Sequence, residues 1–328
     1  MEKKGFHLSI EIIFGFIFLT LLSCQRSPAF RRDQTYVQSE PPSYYNQGQG
    51  GGVSPTQRLE MMGQPKKRIA ILTFSNDTPV KMPDLGPFAA DELKRDLALT
   101  QRVLLPPDVQ TELGTSDVLE GDRVKVAQLI REGRRLGVSV LVIWRLSKIV
   151  FRQRGDEVGL LRQKQSLSAV DIELKAFDVG SGREILSTAK SGEASNNAIV
   201  TGEGSGLESQ EFRAELTKLG IRDAISRIAP DVIRSVEKMA WQGHVAKVNG
   251  GKIVVNAGKA SGLVAGDILK VLSQGEDVYD PQTGAFLGRS AGQFKGTIEV
   301  TDFIGTDGAV TQIHTGGNFQ NGDVVQLY

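Results

Sequence analysis

The side chain with the most distinctive chemistry in this sequence is the thiol of Cys24, the only cysteine in the chain. It stands at the end of an apolar run that follows the basic residues Lys3 and Lys4. A basic start, a short apolar core and a small residue before a cleavage point are typical of a secretory signal peptide. The run is too short to span a bilayer, which takes about 20 apolar residues. The sequence therefore predicts a signal peptide over residues 1–23.

The four residues Leu21-Leu22-Ser23-Cys24 resemble a bacterial lipobox. The resemblance implies cleavage before Cys24 and lipidation of its thiol, with acyl chains such as palmitate anchoring the protein in the lipid bilayer. The residue after the cysteine is Gln25 and not an aspartate. The resemblance therefore implies that the protein is anchored in the outer membrane, with its folded part facing the periplasm. The alternative interpretation is an ordinary signal peptide followed by a chance cysteine.

The other residues that could do chemistry lack the spacing of a catalytic or metal site. The mature chain has two histidines, His244 and His314, whereas a zinc site takes three or four ligands. No serine lies in a nucleophile elbow, and Asp277 and Asp280 lack the dense alternating carboxylates of a calcium loop. We therefore expect no catalytic residue, no cofactor and no metal, and we interpret the Asp280-Pro281 step as a turn.

Three arginines, Arg131, Arg134 and Arg135, form a basic cluster on a predicted helix. The simplest interpretation is a solvated helix face. The alternative is a contact with an acidic partner subunit, since complementary charges orient two proteins as they meet. The net charge of +1 gives no indication of a nucleic-acid partner.

Composition divides the chain after the signal peptide into three segments. Residues 24–66 lack apolar periodicity and are rich in glycine, glutamine and proline, which predicts a flexible tether. Residues 67–242 mix apolar strands with helical patterns, and residues 243–328 contain short strands separated by glycine turns. We predict an α+β domain, with helices packed on a mixed sheet, followed by a small all-β domain resembling a barrel.

The predicted strands of the α+β domain are apolar or alternating runs bounded by turn residues: 68–74, 102–105, 138–150, 169–179 and 183–189. The last two form a hairpin around the turn Gly180-Ser181-Gly182. Three helices are predicted. The first begins near Gly86-Pro87, the second has apolar positions within 126–136, and the third spans 209–239. Pro230 lies inside the third helix and is expected to kink it or split it in two.

The predicted strands of the all-β domain are six short runs: 244–248, 252–255, 267–272, 296–300, 309–313 and 324–328. The segment Ala265-Gly266-Asp267-Ile268-Leu269 is echoed by Asn321-Gly322-Asp323-Val324-Val325, where a Gly-Asp turn again leads into a strand. We interpret this echo as recurring turn chemistry and not as a duplicated domain.

Two resemblances follow from these motifs. Residues 68–76, 88–93 and 169–186 resemble the periplasmic α/β fold of the CsgG curli-secretion family and of the amino-terminal domain of TolB. Residues 243–248, 255–258, 262–267, 280–284 and 322–325 resemble the carboxy-terminal domain of the flagellar protein FlgT. The resemblances imply a non-enzymatic subunit or accessory of an envelope assembly, either a flagellar-motor ring or a curli-like apparatus. They also imply protein subunits as partners and a homo-oligomer.

The alternative function is a pore-forming secretion channel of the CsgG type. Its membrane hairpins would fall in residues 147–168 and 191–208. Spanning strands need about 9–11 residues with a continuous apolar face, and a lipid-facing charge at mid-bilayer costs about 2–4 kcal/mol. Because the first segment carries Lys148 and Arg152 and the second is mostly polar, we interpret both as soluble hairpins or loops.

Overall fold

The computed structural model describes residues 64–72, 75–76, 78–80, 82, 84–113, 123–155, 162–200, 209–284 and 286–328. These residues belong to one compact unit. Cys24, the signal peptide 1–23 and all but the last three residues of the tether 24–66 lie outside the described residues. The division into domains at 67–242 and 243–328 remains a prediction.

The amino-terminal part of the described chain is a mixed sheet with four helices. Its strands are β1 (Lys67–Ile71), β2 (Ser75–Asn76), β3 (Val103–Leu104), β4 (Val140–Gly155), β5 (Arg162–Asp178) and β6 (Glu184–Val200). Its helices are α1 (Leu85–Leu99), α2 (Pro107–Leu113), α3 (Arg123–Arg135) and α4 (Gln210–Glu237). The helix α2, which begins at Pro107, was not predicted from the sequence.

The strands are ordered β3-β1-β4-β5-β6, with β2 paired to β4. β1 runs parallel to β3 and β4, whereas β4, β5 and β6 are antiparallel to one another. The predicted hairpin at Gly180-Ser181-Gly182 is confirmed. The N–H of Gly182 donates to the carbonyl of Asp178 at 2.7 Å, and φ of Gly182 is +74°, which favours glycine.

Each face of the sheet has its own apolar core. On one face α1 and α4 pack on alternate residues of the strands, including Val142, Ile172 and Leu174, which are all almost fully buried. On the other face α2 and α3 cover only the region around Leu141 and Val179. Every second residue along a strand points to the same face, so alternation decides which side chains α1 and α4 bury.

Helix α4 lies very close to the edge strand β6. A Cβ placed on Gly192 would overlap the carbonyl oxygen of Gly220 and the amide nitrogen of Ala224, and would lie 2.8 Å from the Cβ of Ala224. A Cβ on Gly220 would in turn lie 3.1 Å from Cγ2 of Val170. Glycine at these positions therefore lets the helix backbone contact the sheet directly.

Of the two expected effects of Pro230, a kink or a split, the split does not occur, because α4 is continuous from Gln210 to Glu237. Ser209 caps its start by accepting the N–H of Phe212 at 3.1 Å. Pro230 lies on the exposed side of the helix, where water can satisfy the carbonyl that a proline leaves without a donor. The buried residues Ile225, Ile228 and Val232 hold the helix to the sheet on both sides of it.

The strands β4, β5 and β6 are longer than predicted. The segment 147–168 is a hairpin, with β4 reaching Gly155 and β5 beginning at Arg162. Residues 191–200, predicted as a polar hairpin or loop, continue β6 in register with β5. A partner strand supplies backbone hydrogen bonds whatever the side chains are, so small polar residues extend the strand here.

The carboxy-terminal part contains eight strands: β7 (Gly243–Asn249), β8 (Lys252–Val255), β9 (Ile268–Leu272), β10 (Asp277–Tyr279), β11 (Phe286–Arg289), β12 (Phe294–Ile304), β13 (Gly308–Gly316) and β14 (Val324–Leu327). Six of them close a barrel in the order β12-β13-β8-β7-β14-β9. The predicted α+β class with a carboxy-terminal barrel is confirmed. The two-stranded ribbon β10–β11 was not predicted, and it leaves the barrel between β9 and β12.

The core of the barrel includes Trp241, which is only 4% exposed and packs with Val245, Leu269 and Val325. Trp241 precedes the predicted domain start at Gly243. A fragment meant to fold as the barrel would therefore need to begin before Trp241.

The two halves of the barrel pair their strands in the same way. The strands β7, β8 and β9 of one half correspond to β12, β13 and β14 of the other. β7 pairs with β8 and β14, and in the same way β12 pairs with β13 and β9. The first strand of each half has a register shift at the matching place, after Val245 and after Val300. The barrel thus consists of two equivalent three-stranded units related by a pseudo-twofold.

The echoed Gly-Asp turns occupy equivalent positions in these two units. Gly266 and Gly322 both have φ of +90°. The carboxylates of Asp267 and Asp323 each accept the N–H of the residue three positions earlier, at 2.9 Å and 2.7 Å. The expected recurring turn chemistry is confirmed, but the interpretation against duplication is wrong, because the strand pairing shows that the whole half-barrel recurs.

Candidate functional site

The three arginines of the predicted basic cluster do not form one surface. Arg131 and Arg135 are exposed, and Arg135 donates to the neighbouring carboxylate of Glu132 at 2.8 and 2.6 Å. The side chain of Arg134 is 11% exposed and turns towards the barrel, where it donates to Asp277 at 3.2 Å. The solvated-face interpretation therefore fails for Arg134, whose acidic partner belongs to the same chain.

A second ion pair joins β1 to the barrel. Arg68 donates to the carboxylate of Asp307, in the turn between β12 and β13, at 3.1 Å. The same carboxylate accepts the N–H of Gly258 at 2.7 Å, and both the N–H and the hydroxyl of Ser261, at 2.8 and 2.5 Å. Asp307 is thus the point at which the sheet, the β12–β13 turn and the loop after β8 meet.

The ribbon β10–β11 makes the third contact between the barrel and the sheet. Asp277 lies between Arg134 and Arg289, 3.6 Å from the latter. A Cβ on Gly182, in the β5–β6 turn, would overlap the ring of Phe286 and lie 3.0 Å from its Cζ. The unpredicted ribbon therefore packs over the β5–β6 turn and ties it to the end of α3.

These contacts surround His244, at the second position of β7. Burial, together with the smaller effect of the positive charges of Arg289, Arg134 and Arg68, lowers the pKa of His244 to about 4. Its backbone N–H donates to the side-chain oxygen of Asn256 at 2.7 Å. The imidazole is therefore neutral at pH 7. A proton on it would add a fourth positive charge to these contacts between the sheet and the carboxy-terminal part, which we call the junction.

We expect the stability of the protein to fall as the pH drops from about 6.5 to about 4. In this window the unfolded chain binds a proton at His244 that the folded chain does not, so acid favours unfolding. The effect should reach about 2 kcal/mol and vanish above the histidine's unfolded pKa. Urea unfolding of wild type and His244→Gln between pH 4 and 8 would measure it. An equally steep acid slope in the variant would contradict the assignment.

Between the sheet and the barrel lies a small polar cleft, about large enough for a single water molecule. Its lining includes Lys66, Arg68, Ser139, Gln242 and Asn256. The cleft is too small for an organic ligand. Its polar side chains serve the contact between the two parts of the chain.

The other candidate residues have structural surroundings. Asp280 accepts the N–H groups of Gln282 and Thr283 at 2.8 and 3.3 Å, and these bonds lower the pKa of its carboxyl. The predicted turn at Asp280 is therefore confirmed. In the described part of the chain, no three histidine, cysteine or acidic side chains come together as metal ligands, and no helix is long and apolar enough to cross a membrane. The lipidation site Cys24 lies outside the described residues.

Comparisons with known proteins concern the fold alone. No protein-family model and no curated protein sequence matches the chain. Among solved structures, the lipoprotein GNA1162 from Neisseria meningitidis is 14% identical, and the match covers 53% of this chain and 99% of that one, with a TM-score of 0.27. The LpoB carboxy-terminal domain from Salmonella enterica is 17% identical, with 42% and 90% covered and a TM-score of 0.27.

A dodecamer of PelC from Paraburkholderia phytofirmans is 12% identical, with 49% of this chain and 87% of that one covered and a TM-score of 0.26. Bacterial lipoproteins are thus among the proteins whose solved structures this chain resembles. At this identity and TM-score, their names describe those proteins alone.

Proposed function

We propose that this protein is a lipid-anchored, non-catalytic subunit or accessory of a bacterial envelope assembly, acting through protein–protein contacts. Its anchor would be the acylated thiol of Cys24, in the outer membrane, and its folded part would face the periplasm. The lipobox-like residues Leu21-Leu22-Ser23-Cys24 support the anchor.

The observation that carries the structural role is the use of charge at the junction. Arg68 and Arg134, which could otherwise serve a ligand, are bound to Asp307 of the barrel and to Asp277 of the ribbon β10–β11. These pairs hold the barrel and the sheet in one arrangement, as a scaffold requires. Arg131 and Arg135, the latter paired with Glu132, are exposed on α3, where a partner subunit with an acidic surface could bind.

The choice of assembly follows the sequence resemblances. The sequence resemblance of residues 243–328 to FlgT favours a ring of the flagellar motor. The resemblance of the preceding residues to CsgG, together with the lipobox, favours a curli-like secretion apparatus. Both are assemblies of repeated subunits, so the proposal includes a homo-oligomer.

A pore-forming channel of the CsgG type is the second candidate, and the lengths of β4, β5 and β6 favour it. Each has 16 or 17 residues, more than the roughly 9–11 that cross a bilayer. Against it, Lys148 and Arg152 are exposed on the same hairpin. Conductance in planar bilayers would identify a channel, and its absence would leave the accessory role.

The anchor can be tested with Cys24→Ala. We expect the variant to lose all labelling by a fatty-acid probe, because the chain has no second thiol to accept an acyl group. It should also either leave the membrane fraction, since acyl chains contribute about 0.8 kcal/mol per buried methylene, or keep its signal peptide uncleaved. Retained labelling would exclude the lipobox interpretation. A pull-down from detergent extracts, with the same variant as a control, would show whether envelope subunits accompany the anchored protein.

A further inference from the structure

The first described residues after the tether are attached to the barrel. Pro65 is buried, and a Cβ placed on Gly262 would lie 3.9 Å from the Cα of Pro65. The N–H of Lys66 donates to the carbonyl of Ser261 at 2.7 Å. The chain that leads from Cys24 therefore meets the fold beside the loop 258–262 of the barrel.

The hairpin between β12 and β13 ends next to this loop. A Cβ on Gly258 would lie 2.6 Å from the carbonyl oxygen of Gly308, and one on Gly308 would lie 2.9 Å from Cγ2 of Ile304. The ammonium of Lys259 lies 5.1 Å from the centre of the Phe303 ring. The loop and the hairpin tip thus form one continuous surface where the tether joins the fold.

This surface combines apolar and basic side chains. Ile304 is 54% exposed at the tip of the hairpin, and Phe303 beside it is half-buried. Lys259 is exposed and Lys66 half-buried, and the exposed carboxylate of Asp302 is bonded to the N–H of Phe303 at 2.8 Å. We define Lys259, Phe303 and Ile304 as the hairpin-tip patch.

We propose that the hairpin-tip patch rests on the surface of the anionic bilayer that holds the anchor. An exposed apolar side chain beside a lysine, here Ile304 and Lys259, suits a surface that binds at the lipid–water interface, where the apolar group enters the headgroup region and the lysine meets acidic lipids. About 40 residues separate Cys24 from Lys66, and of the described residues those at the tether are the nearest to the anchor along the chain.

The proposal rests on the proposed lipid anchor, but it can be tested without it. The test uses the mature chain, residues 24–328, with Cys24→Ala, so that no acyl chain is present. Because Cys24 is the only cysteine, a new cysteine can then carry a single environment-sensitive fluorophore. Thr306→Cys places the fluorophore at the hairpin tip. Gly251→Cys places it in the β7–β8 turn, the equivalent turn of the other half-barrel, where an added Cβ meets nothing within 4 Å.

We expect vesicles containing phosphatidylglycerol to raise the fluorescence of the Thr306→Cys label at least about threefold more than that of the Gly251→Cys label. Adding Ile304→Asp and Lys259→Glu should lower vesicle binding about tenfold, with circular dichroism showing that the variants are folded. No response at Thr306→Cys, equal responses at both positions, or equal binding to phosphatidylcholine vesicles would each overturn the proposal. A failure here leaves the anchor untouched, because fatty-acid labelling of Cys24 tests the anchor separately.

Discussion

Replacing Gly192 with alanine is expected to destabilise the protein by about 3 kcal/mol. The new methyl group would overlap the backbone of α4 at Gly220 and Ala224. Backbone cannot move aside as a flexible side chain can, so α4 would have to withdraw from β6 along part of its length. The buried residues that α4 contributes, among them Ile221 and Ile225, would then lose contacts with the sheet. Urea unfolding followed by circular dichroism would measure the loss.

Gly133→Ala is the matched control for this substitution. Gly133 lies inside α3, and an added Cβ would make ordinary contacts with Val179 and Val138 at 3.6–3.7 Å. Because alanine favours a helix over glycine by up to about 1 kcal/mol, this variant should be as stable as the wild type or more so. An unchanged unfolding midpoint for Gly192→Ala would show that α4 and β6 are less closely packed than described here.

Replacing Asp307 with alanine is expected to cost about 3 kcal/mol and to loosen the junction between the sheet and the barrel. The substitution leaves the N–H groups of Gly258 and Ser261 without their acceptor and Arg68 without its counter-charge. Removing one member of a buried, hydrogen-bonded ion pair costs more than the pair contributes, because the other member stays uncompensated. Hydrogen exchange should accelerate first in the loop 258–262.

A double-mutant cycle with Arg68→Ala separates the ion pair from the hydrogen bonds within the barrel. The stability losses of the two single variants, added together, should exceed the loss in the double variant by about 1 kcal/mol or more, since the residues are in contact. Asp302→Ala removes an exposed carboxylate of the same hairpin and should change stability by less than about 0.5 kcal/mol. Strictly additive losses at Arg68 and Asp307 would argue against a direct pair.

Much of the fold could be predicted because it is encoded locally. Alternating apolar residues identify β5, the turn at Gly182 identifies its hairpin with β6, and Ser209 identifies the start of α4. The six strands of the barrel were found from the glycine turns that separate them. The ribbon β10–β11 was not, because its strands of three and four residues flank the turn at Asp280 and lack the apolar run that identifies the equally short β8 and β14.

The junction could not be predicted from the sequence. Arg68 and Asp307 are 239 positions apart, and nothing near either residue marks it as half of a pair. Arg134 looked like its neighbours Arg131 and Arg135, and only the position of the ribbon beside α3 decides that it alone points inward. Long-range partners depend on how elements pack, which local patterns do not contain.

The pseudo-twofold of the barrel has a consequence for how its two halves can diverge. Asp307, which holds the sheet, occupies the turn between the first two strands of one half. The matching turn of the other half contains Gly250 and Gly251, where an added Cβ would meet no atom within 4 Å. The two half-barrels thus have the same strand pairing, but only one of them contacts the sheet through this turn. Selection on the junction constrains the turn with Asp307, whereas the turn at Gly250 and Gly251 is free to lengthen, shorten or acquire a new binding partner without disturbing the contact with the sheet.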